Sequence, residues 1–363
     1  MDNLRLDRAR AILRERDLDA LLVTSGTNRR YLTGFTAEDH APDELSAVAL
    51  VAHDRALLFA SATNLPWAAA EALPGIEARE SARPWTTTIA DTINGEGWRH
   101  VGIEDETTTV AVYNRLRERL GDGVALVPVG GAVDALRAAK GVDEVALVEE
   151  ALRLTDRAFV AAEGRIAAGM TERQAANIVR EELRACGSEG EAFPTIVASG
   201  PNAAKPHHAP GDRVIQEGEP VIIDMGAVYQ GYCGDLTRTV WFGQPSEQLV
   251  TIYETVAAAQ AIALAKAAPG VTGRELDDSV RAFFAARELD RFFVHSLGHG
   301  LGLRIHEAPS AGPASSDTLE PGHVVTIEPG LYIPDWGGVR IEDVVLIEAK
   351  GARNLTSAPK HSV

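Results

Sequence analysis

Two aspartates in the second half of the chain have the type and spacing of metal ligands. Segments 221–226 and 232–239 are strand-like and are joined by a short glycine-containing turn, which predicts a β-hairpin. This hairpin carries Asp224 and Asp235. Burying two like charges is costly, so each needs a proton, a cationic partner or a metal ion. Taken alone, the pair is explained equally well in two ways. Either the aspartates form a metal site, or one lies in a turn while the other pairs with Arg238.

Histidines cluster further along the chain. Three of the ten histidines, His295, His299 and His306, fall within twelve positions. The glycines that flank His299 permit close backbone approach and leave room for a ligand. This clustering favours a functional site over histidines that are merely packed.

Two glutamates in runs of β-branched residues complete a set of hard ligands. The full set is four carboxylates and one imidazole: Asp224, Asp235, His299, Glu328 and Glu342. Four negative charges balance two divalent cations, which carboxylates can bridge. Manganese or cobalt suits this mixture of oxygen and nitrogen donors and zinc is compatible with it, whereas the imidazole disfavours calcium.

These motifs resemble those of the metal-dependent Xaa-Pro peptidases, the aminopeptidase P and prolidase group. The matching segments are residues 223–227, 231–239, 295–303, 306–309, 327–332 and 338–343, together with 19–22 and 28–35 near the start of the chain. The resemblance therefore covers nearly the whole chain. It implies an α/β creatinase-like N-terminal domain followed by an α+β catalytic domain with the pita-bread fold, which methionine aminopeptidase shares.

The resemblance also implies a role for each metal ligand. Asp224 is expected to chelate one ion, His299 and Glu328 the other, and Asp235 and Glu342 to bridge the two. A bridging water would then attack the peptide carbonyl while the metal ions stabilise the oxyanion.

Further residues match positions that contact the substrate or orient the ligands. His207 matches a histidine beside the scissile bond. His295 and His306 match histidines that hold the proline side and donate a hydrogen bond to the tetrahedral intermediate. Arg340 resembles an arginine that orients the bridging carboxylate. Tyr332 is either a donor behind the ligands or a core residue.

Substrate length is the least determined feature. Dipeptidases of this group commonly carry a basic residue shortly after the His-Glu-x-Pro element, but the continuation here, residues 310–313, has none. This favours an aminopeptidase that removes the residue before proline from longer peptides. An Xaa-Pro dipeptidase (prolidase) is the alternative, with Arg304 or an N-terminal loop supplying the cation.

Other classes fit less well. A creatinase-like amidinohydrolase or a noncatalytic peptide-binding protein on this fold would be expected to lack metal ligands. Methionine aminopeptidase would not account for residues 1–132.

The elements that position these residues divide the chain in two. Alternating short helices and strands predict an α/β layer in the first part, with a helix at 8–16, strands at 19–24, 45–52 and 56–60, and a turn at Ser25-Gly26. The predicted limits are 1–132 for the N-terminal domain, 133–142 for a linker and 143–363 for the catalytic domain.

The catalytic part carries an internal repeat. Residues 168–174 resemble residues 269–275, and in each copy a glycine ends one helix while a Thr-x-x-Gln or Thr-x-x-Glu capping box begins the next. The repeat predicts two related halves about a pseudo-twofold axis, with a site between them.

The composition restricts the classes of binding partner and the cellular compartment. The chain has 363 residues with 35 basic and 52 acidic side chains, a formal charge of −17, which argues against binding to nucleic acid or an anionic membrane. Cys186 and Cys233 form no paired motif and the N-terminus has no apolar signal core, so a cytoplasmic protein is expected. Segment 249–268 reads as a buried helix rather than a membrane span.

From the resemblance we also expect a homodimer that acts on proline-containing peptides, with segment 31–40 reaching a partner's site.

Overall fold

The computed structural model describes residues 4–41 and 44–361. The chain separates into two compact units, Met1–Arg137 and Ala138–Val363. The helix Ala132–Ala138 crosses this boundary and occupies the first part of the segment predicted to be a linker.

The first unit is an α/β layer around one mixed sheet. Its helices are α1 (Leu4–Glu15), α2 (Gly26–Thr33), α3 (Leu65–Glu71), α4 (Trp85–Glu96), α5 (Val110–Arg119) and α6 (Ala132–Ala138). Its strands are β1 (Ala20–Val23), β2 (Ala47–Ala52), β3 (Ala56–Ala60), β4 (Ile76–Glu80), β5 (His100–Ile103) and β6 (Ala125–Pro128), in the order β4-β3-β2-β1-β5-β6. Strands β1, β2 and β3 are apolar and buried along their whole length, as expected for a sheet covered on both faces.

The predicted turn at Ser25-Gly26 is wrong, because these residues begin helix α2. Ser25 is the N-cap, and its Oγ accepts from the backbone N–H of Asn28. The Glu104 carboxylate fixes this start by accepting from the N–H groups of Thr24 and Ser25. Burial raises the pKa of Glu104 although these hydrogen bonds oppose the shift. The choice between a turn and a helix cap therefore depends on Glu104, which is 80 residues from Thr24 in the sequence.

The second unit is built from two helix pairs and several antiparallel sheets. Its helices are α7 (Val142–Glu163), α8 (Glu172–Ala185), α9 (Glu247–Lys266) and α10 (Gly273–Ala285), with 3₁₀ turns at Gly200–Ala204 and Asp290–Phe292. Its first strands are β7 (Ile196–Ser199), β8 (Val221–Met225), β9 (Val228–Tyr229), β10 (Tyr232–Cys233) and β11 (Leu236–Val240). The others are β12 (Gly298–Gly300), β13 (Glu307–Ala311), β14 (Val324–Ile327), β15 (Gly330–Ile333), β16 (Gly337–Arg340), β17 (Asp343–Glu348) and β18 (Gly351–Asn354).

These strands form two principal sheets, with orders β11-β8-β7 and β13-β12-β14-β17-β18, and two small pairs, β9-β10 and β15-β16. The predicted hairpin is confirmed, since β8 pairs antiparallel with β11 and the short β9-β10 pair forms its tip.

The predicted internal repeat is confirmed by matching contacts in the two halves. Helices α8 and α10 both begin with a capping box, with Thr171 and Thr272 as N-caps. Thr171 forms an isolated antiparallel bridge with Val214, and Thr272 forms one with Thr318. Each half thus joins the start of its second helix to an extended segment in the same way.

Helix α9 is the helix in the described residues that is long and apolar enough to cross a membrane by length and composition alone. Its residues Leu249, Val256 and Ala263 are fully buried in an apolar cluster that includes Ile327 and Ile341. One face of α9 therefore packs against the segments that precede Glu328 and Glu342, while 39% of the residues in its most apolar stretch are buried.

Candidate metal centre

Both aspartates lie on the β8-β11 hairpin. Asp224 is in β8 directly opposite Thr237 of β11, and Asp235 immediately precedes β11. Both side chains are buried. Since apolar residues of the two strands fill the core on the other face, the acids are held where solvent cannot easily screen their charges.

His299 lies against the aspartates and is oriented by its own strand. Its Nδ1 is 3.1 Å from the carbonyl oxygen of Gly300, which can only accept, so Nδ1 carries the proton and Nε2 faces the carboxylates. Nε2 is 3.3 Å from Glu328 Oε1 and 3.6 Å from Asp235 Oδ2. A Cβ atom at Gly298 would overlap the carbonyl oxygen of Thr326, so glycine is required for β12 to approach β14 this closely.

Glu342 closes the cluster from the connection between β16 and β17. Its Oε2 accepts from Thr237 Oγ1 at 2.8 Å, and its N–H donates to the Thr237 carbonyl. Ligand atoms of Asp235, His299 and Glu342 all lie within 4.8 Å of one another. Three separate parts of the second unit therefore bring their donors to one point.

The buried carboxylates of the cluster repel one another, so a bound cation would stabilise their charged forms. Burial, reinforced by neighbouring carboxylates, raises the pKa of Asp235 and of Glu342 well above the ordinary values. Burial also raises the pKa of Asp224, although Arg340 opposes the shift. Burial opposes ionisation of Glu328 as well, but the hydrogen bond and charge of His299 outweigh it and lower its pKa to about 2.

Two fully buried oxygens of the cluster have no hydrogen-bond partner among the described residues. These are the buried Asp224 Oδ1 and Glu342 Oε1. Leaving a buried carboxylate oxygen without a donor is unfavourable, and a cation at this point would compensate both atoms and relieve the mutual repulsion of the acids. Hard oxygen donors with one imidazole therefore fit divalent metal ions.

Arg340 organises the cluster from behind. Its Nη2 donates to Asp224 Oδ2 at 2.6 Å, and its Nε donates to Thr237 Oγ1 at 3.1 Å. The direct partner of Arg340 is thus Asp224, and it reaches Glu342 only through the Thr237 hydroxyl. Its role is broader than the orientation of one bridging carboxylate expected from the sequence.

Tyr332 links Arg340 to His295. The phenol accepts from Arg340 Nη1 and lies 2.8 Å from His295 Nε2, while His295 Nδ1 donates to the Ser296 carbonyl. Burial, opposed by Arg340, raises the pKa of Tyr332 to about 12, so it donates its proton to His295. Burial lowers the pKa of His295, which favours the neutral ring required for this arrangement. Both ring nitrogens of His295 are therefore used within the chain.

His207 and His306 are exposed side chains that line the same cleft. Among the residues that the structure describes, neither imidazole has a hydrogen-bond partner. His306 stacks edge-to-face on His299, with ring centroids 4.3 Å apart. Both rings are available to a bound molecule in a way that His295 is not.

A buried carboxylate holds the loop that carries His207. Glu172, at the start of α8, accepts from Ser199 N at 2.9 Å, from Gly211 N at 3.1 Å and from His208 Nε2 at 2.8 Å. These hydrogen bonds outweigh burial and lower the pKa of Glu172, which keeps it ionised. Both ends of the loop are thus tied to the same helix.

All the predicted site residues line a single cleft of about 800 Å³. They are His207, Asp224, Asp235, His295, His299, His306, Glu328, Arg340 and Glu342. Apolar side chains, among them Phe193 and Ile196, line another part of its wall. A cleft of this size accommodates a short peptide. The sequence did not single out Thr237 or Glu172, whose polar side chains gave no pattern distinct from ordinary strand and helix-start residues.

Comparison with known proteins agrees with this geometry. Residues 146–349 match the model of metallopeptidase family M24, and residues 5–139 match the creatinase/prolidase N-terminal domain. The chain belongs to metallopeptidase family M24, and the predicted family and two-domain fold are confirmed.

Relatives and solved structures narrow the class further. The chain is 44% identical to an Xaa-Pro dipeptidase of Pyrococcus furiosus over 62% of this chain and 65% of the relative. An Xaa-Pro dipeptidase from Bacillus anthracis superposes with a TM-score of 0.93 at 34% identity, covering 99% of this chain and 98% of that one. An X-Pro aminopeptidase from Thermotoga maritima superposes with a TM-score of 0.89 at 31% identity, covering 98% of each chain. The chain is thus a metallo-exopeptidase, and the dipeptidase alternative has more support than the aminopeptidase that residues 310–313 favoured.

Proposed function

We propose that the chain is an Xaa-Pro dipeptidase, which hydrolyses the bond between an N-terminal residue and a C-terminal proline. The observation that carries the proposal is the convergence of four carboxylates and His299 in one cleft of a chain that resembles an Xaa-Pro dipeptidase over nearly its whole length. An Xaa-Pro aminopeptidase is the second candidate, because residues 310–313, which follow the His-Glu-x-Pro element, include no basic residue of the kind common in the dipeptidases.

The proposed centre holds two divalent ions, with Mn²⁺ as the preferred metal and Co²⁺ or Zn²⁺ as alternatives. Asp224 would hold one ion, His299 and Glu328 the other, and Asp235 and Glu342 both. When bound, such ions supply Lewis acidity and lower the pKa of a coordinated water.

The chain's own residues complete the site around the substrate. His207 and His306 have unengaged ring nitrogens in the cleft and would donate to the carbonyl of the scissile bond, where negative charge develops. His295, held by Tyr332, would contact the proline side through its ring. Proline lacks an N–H and has a fixed φ, so it offers no backbone donor for recognition. The apolar wall near Phe193 would instead recognise proline by contact with its ring.

A dipeptide also presents a free carboxylate. Arg173 and Arg180 of α8 line the cleft, paired with Asp212 and Glu191 respectively, and are cations that could meet this group. In an arrangement of this kind the carboxylate of a dipeptide contributes binding that a longer peptide cannot reproduce at the same place.

Substrate length tests the proposal directly. We expect kcat/KM for Ala-Pro to exceed that for Ala-Pro-Ala by at least about tenfold, the equivalent of roughly one charge-assisted contact. Parallel assays of the manganese-loaded enzyme on both peptides measure the ratio. Ala-Pro amide, which keeps the length but lacks the charge, is the control and should resemble the tripeptide. A preference for the tripeptide would establish the aminopeptidase instead.

Arg340 offers a test of the network behind the metal ligands. Lysine keeps the charge but lacks the fork that reaches Asp224, Thr237 and Tyr332 together. We expect Arg340→Lys to lower kcat by about 10- to 100-fold, because residues that orient ligands usually contribute this much. Steady-state kinetics at saturating Mn²⁺ measure the change, and Arg353→Lys, at a more exposed arginine, is the matched control. Wild-type kinetics in Arg340→Lys would contradict the role.

We also propose a homodimer, which the resemblance implies, and a cytoplasmic location, which the two unpaired cysteines favour. Light scattering of the purified chain tests the oligomeric state, and a monomer with full activity would refute a site completed by segment 31–40 of a partner.

A further inference from the structure

Gln260 is a buried amide in an otherwise apolar stretch of helix α9. The residues on either side of it, from Val256 to Leu264, are alanine, isoleucine, leucine or valine. Its side chain is fully buried. An amide in such surroundings is unfavourable unless it is hydrogen-bonded, whereas an apolar side chain would pack there without that requirement. The polar group therefore indicates a specific role.

The amide nitrogen of Gln260 joins two segments of backbone. Nε2 donates to the carbonyl oxygens of Ile327 and Ile341, each at 3.1 Å. Because both partners can only accept, the nitrogen must face them and the amide orientation is fixed. Its Oε1 has no partner among the described residues. The helix thus retains an amide of which only the donor half is satisfied.

The two carbonyl groups lead directly into two of the proposed metal ligands. Each belongs to the planar peptide unit that continues as the backbone nitrogen of the next residue, Glu328 or Glu342. On the other side of these units, Glu328 N donates to Leu297 O and Glu342 N donates to Thr237 O. Both peptide planes are therefore fixed at the oxygen and at the nitrogen.

This contact lies in a short gap between two strand ladders that share one register. In the antiparallel pairing of β14 with β17, Ile327 lies opposite Asp343, the last pair of the ladder. Glu328 and Glu342 are the next residues on the two segments and lie beyond it. The same register resumes in β15-β16, where Gly330 lies opposite Arg340. The two donor hydrogens of Gln260, together with the Ile341 N–H that donates to Pro329 O, link the two segments across this gap.

We propose that Gln260 is a positioning residue that fixes the separation of Glu328 and Glu342 and thereby sets the metal affinity of the centre. The proposal rests on the metal-binding role of these glutamates in the proposed function. Gln260 touches neither the metal nor the substrate; it acts through the backbone of the two ligands.

The test replaces the amide with an apolar side chain of similar length. Gln260→Met removes both donors, and we expect it to weaken Mn²⁺ binding to the metal-free enzyme by roughly tenfold, within the range seen when groups behind metal ligands are removed. Calorimetric titration with Mn²⁺ measures the affinity. Gln260→Leu is the second variant and should change affinity in the same direction.

A matched control separates positioning from general loss of stability. Leu249→Ala opens a cavity on the buried face of the same helix, about 16 Å away along its axis, and should lower the melting temperature but leave Mn²⁺ affinity unchanged. Unchanged affinity in Gln260→Met, or equal weakening in Leu249→Ala, would overturn the proposal.

Hydrogen exchange of the metal-free protein gives a readout that does not depend on metal or catalysis. We expect Gln260→Met to accelerate exchange of the backbone amides of residues 327–328 and 341–343 relative to wild type and to Leu249→Ala. A wild-type chain that binds no Mn²⁺, Co²⁺ or Zn²⁺ would refute the proposed metal centre. Exchange in Gln260→Met would then still decide whether this amide orders the two segments, and unchanged exchange would refute that.

Discussion

Replacing Glu342 with glutamine is expected to lower kcat for Ala-Pro hydrolysis by at least about 10³-fold, because loss of the proposed bridging carboxylate would remove several kcal/mol of metal-dependent stabilisation. Glutamine has nearly the same shape and can still accept from Thr237 Oγ1. It lacks the charge needed to hold two cations near Asp235. Metal content after dialysis against Mn²⁺ should therefore fall together with activity.

The same variant should fold at least as well as wild type without metal. Burial and neighbouring acids raise the pKa of Glu342, which means that its charge is unfavourable in the folded, metal-free chain. A neutral amide removes that repulsion and can donate to an adjacent carboxylate. We therefore expect the metal-free variant to melt no lower than metal-free wild type, so that lost activity cannot be ascribed to unfolding.

Glu348→Gln is the matched control for Glu342→Gln. Glu348 ends β17, is exposed and pairs with Arg353. Removing this charge should change neither metal content nor activity, since exposed pairs contribute little. Full activity in Glu342→Gln, or an unaltered metal content, would remove Glu342 from the centre.

The sequence predicts the proposed metal ligands because their chemistry conflicts with their surroundings. Asp224 and Glu342 are acids among apolar and β-branched residues, and such positions are rare unless a cation compensates them. The internal repeat is equally visible, because capping boxes at Thr171 and Thr272 mark equivalent helix starts. These features are local in sequence, and local patterns suffice to find them.

Features that depend on contacts between distant segments cannot be predicted from local sequence patterns. Gln260 appears there only as an interruption of an apolar helix, and its partners Ile327 and Ile341 are more than 60 residues away. The Ser25-Gly26 turn is wrong for the same reason, since Glu104 selects the helix cap. The partner of Arg340 also depends on how β16 lies against β8, so the sequence could place this arginine near the ligands but could not identify Asp224 as its contact.

Removal of the metal is expected to have the largest effect on the whole enzyme. Exhaustive chelation should abolish Ala-Pro hydrolysis, because the described acids of the cleft then remain without the cations that would activate water. Mn²⁺, and to differing degrees Co²⁺ or Zn²⁺, should restore it. Ca²⁺ should not, because it prefers an all-oxygen site of higher coordination number to one that includes His299.

The loss of metal should also be visible as a loss of stability. An ion present at 100 times its Kd stabilises the folded state by about 2.7 kcal/mol, which corresponds to roughly 5–10 °C in melting temperature for a unit of this size. The reason lies in the pKa shifts of the carboxylates. The charged forms of Asp235 and Glu342 are unfavourable without a cation, and bound cations would stabilise them. Glu328 is ionised beside His299, and a cation could take the place of the second proton, on His299 Nε2. Scanning calorimetry with and without Mn²⁺ measures the shift, and Glu342→Gln should show a smaller one. Activity that survives complete chelation, or a melting temperature indifferent to Mn²⁺, would mean that the repulsion between these buried acids is relieved by protons rather than by metal ions.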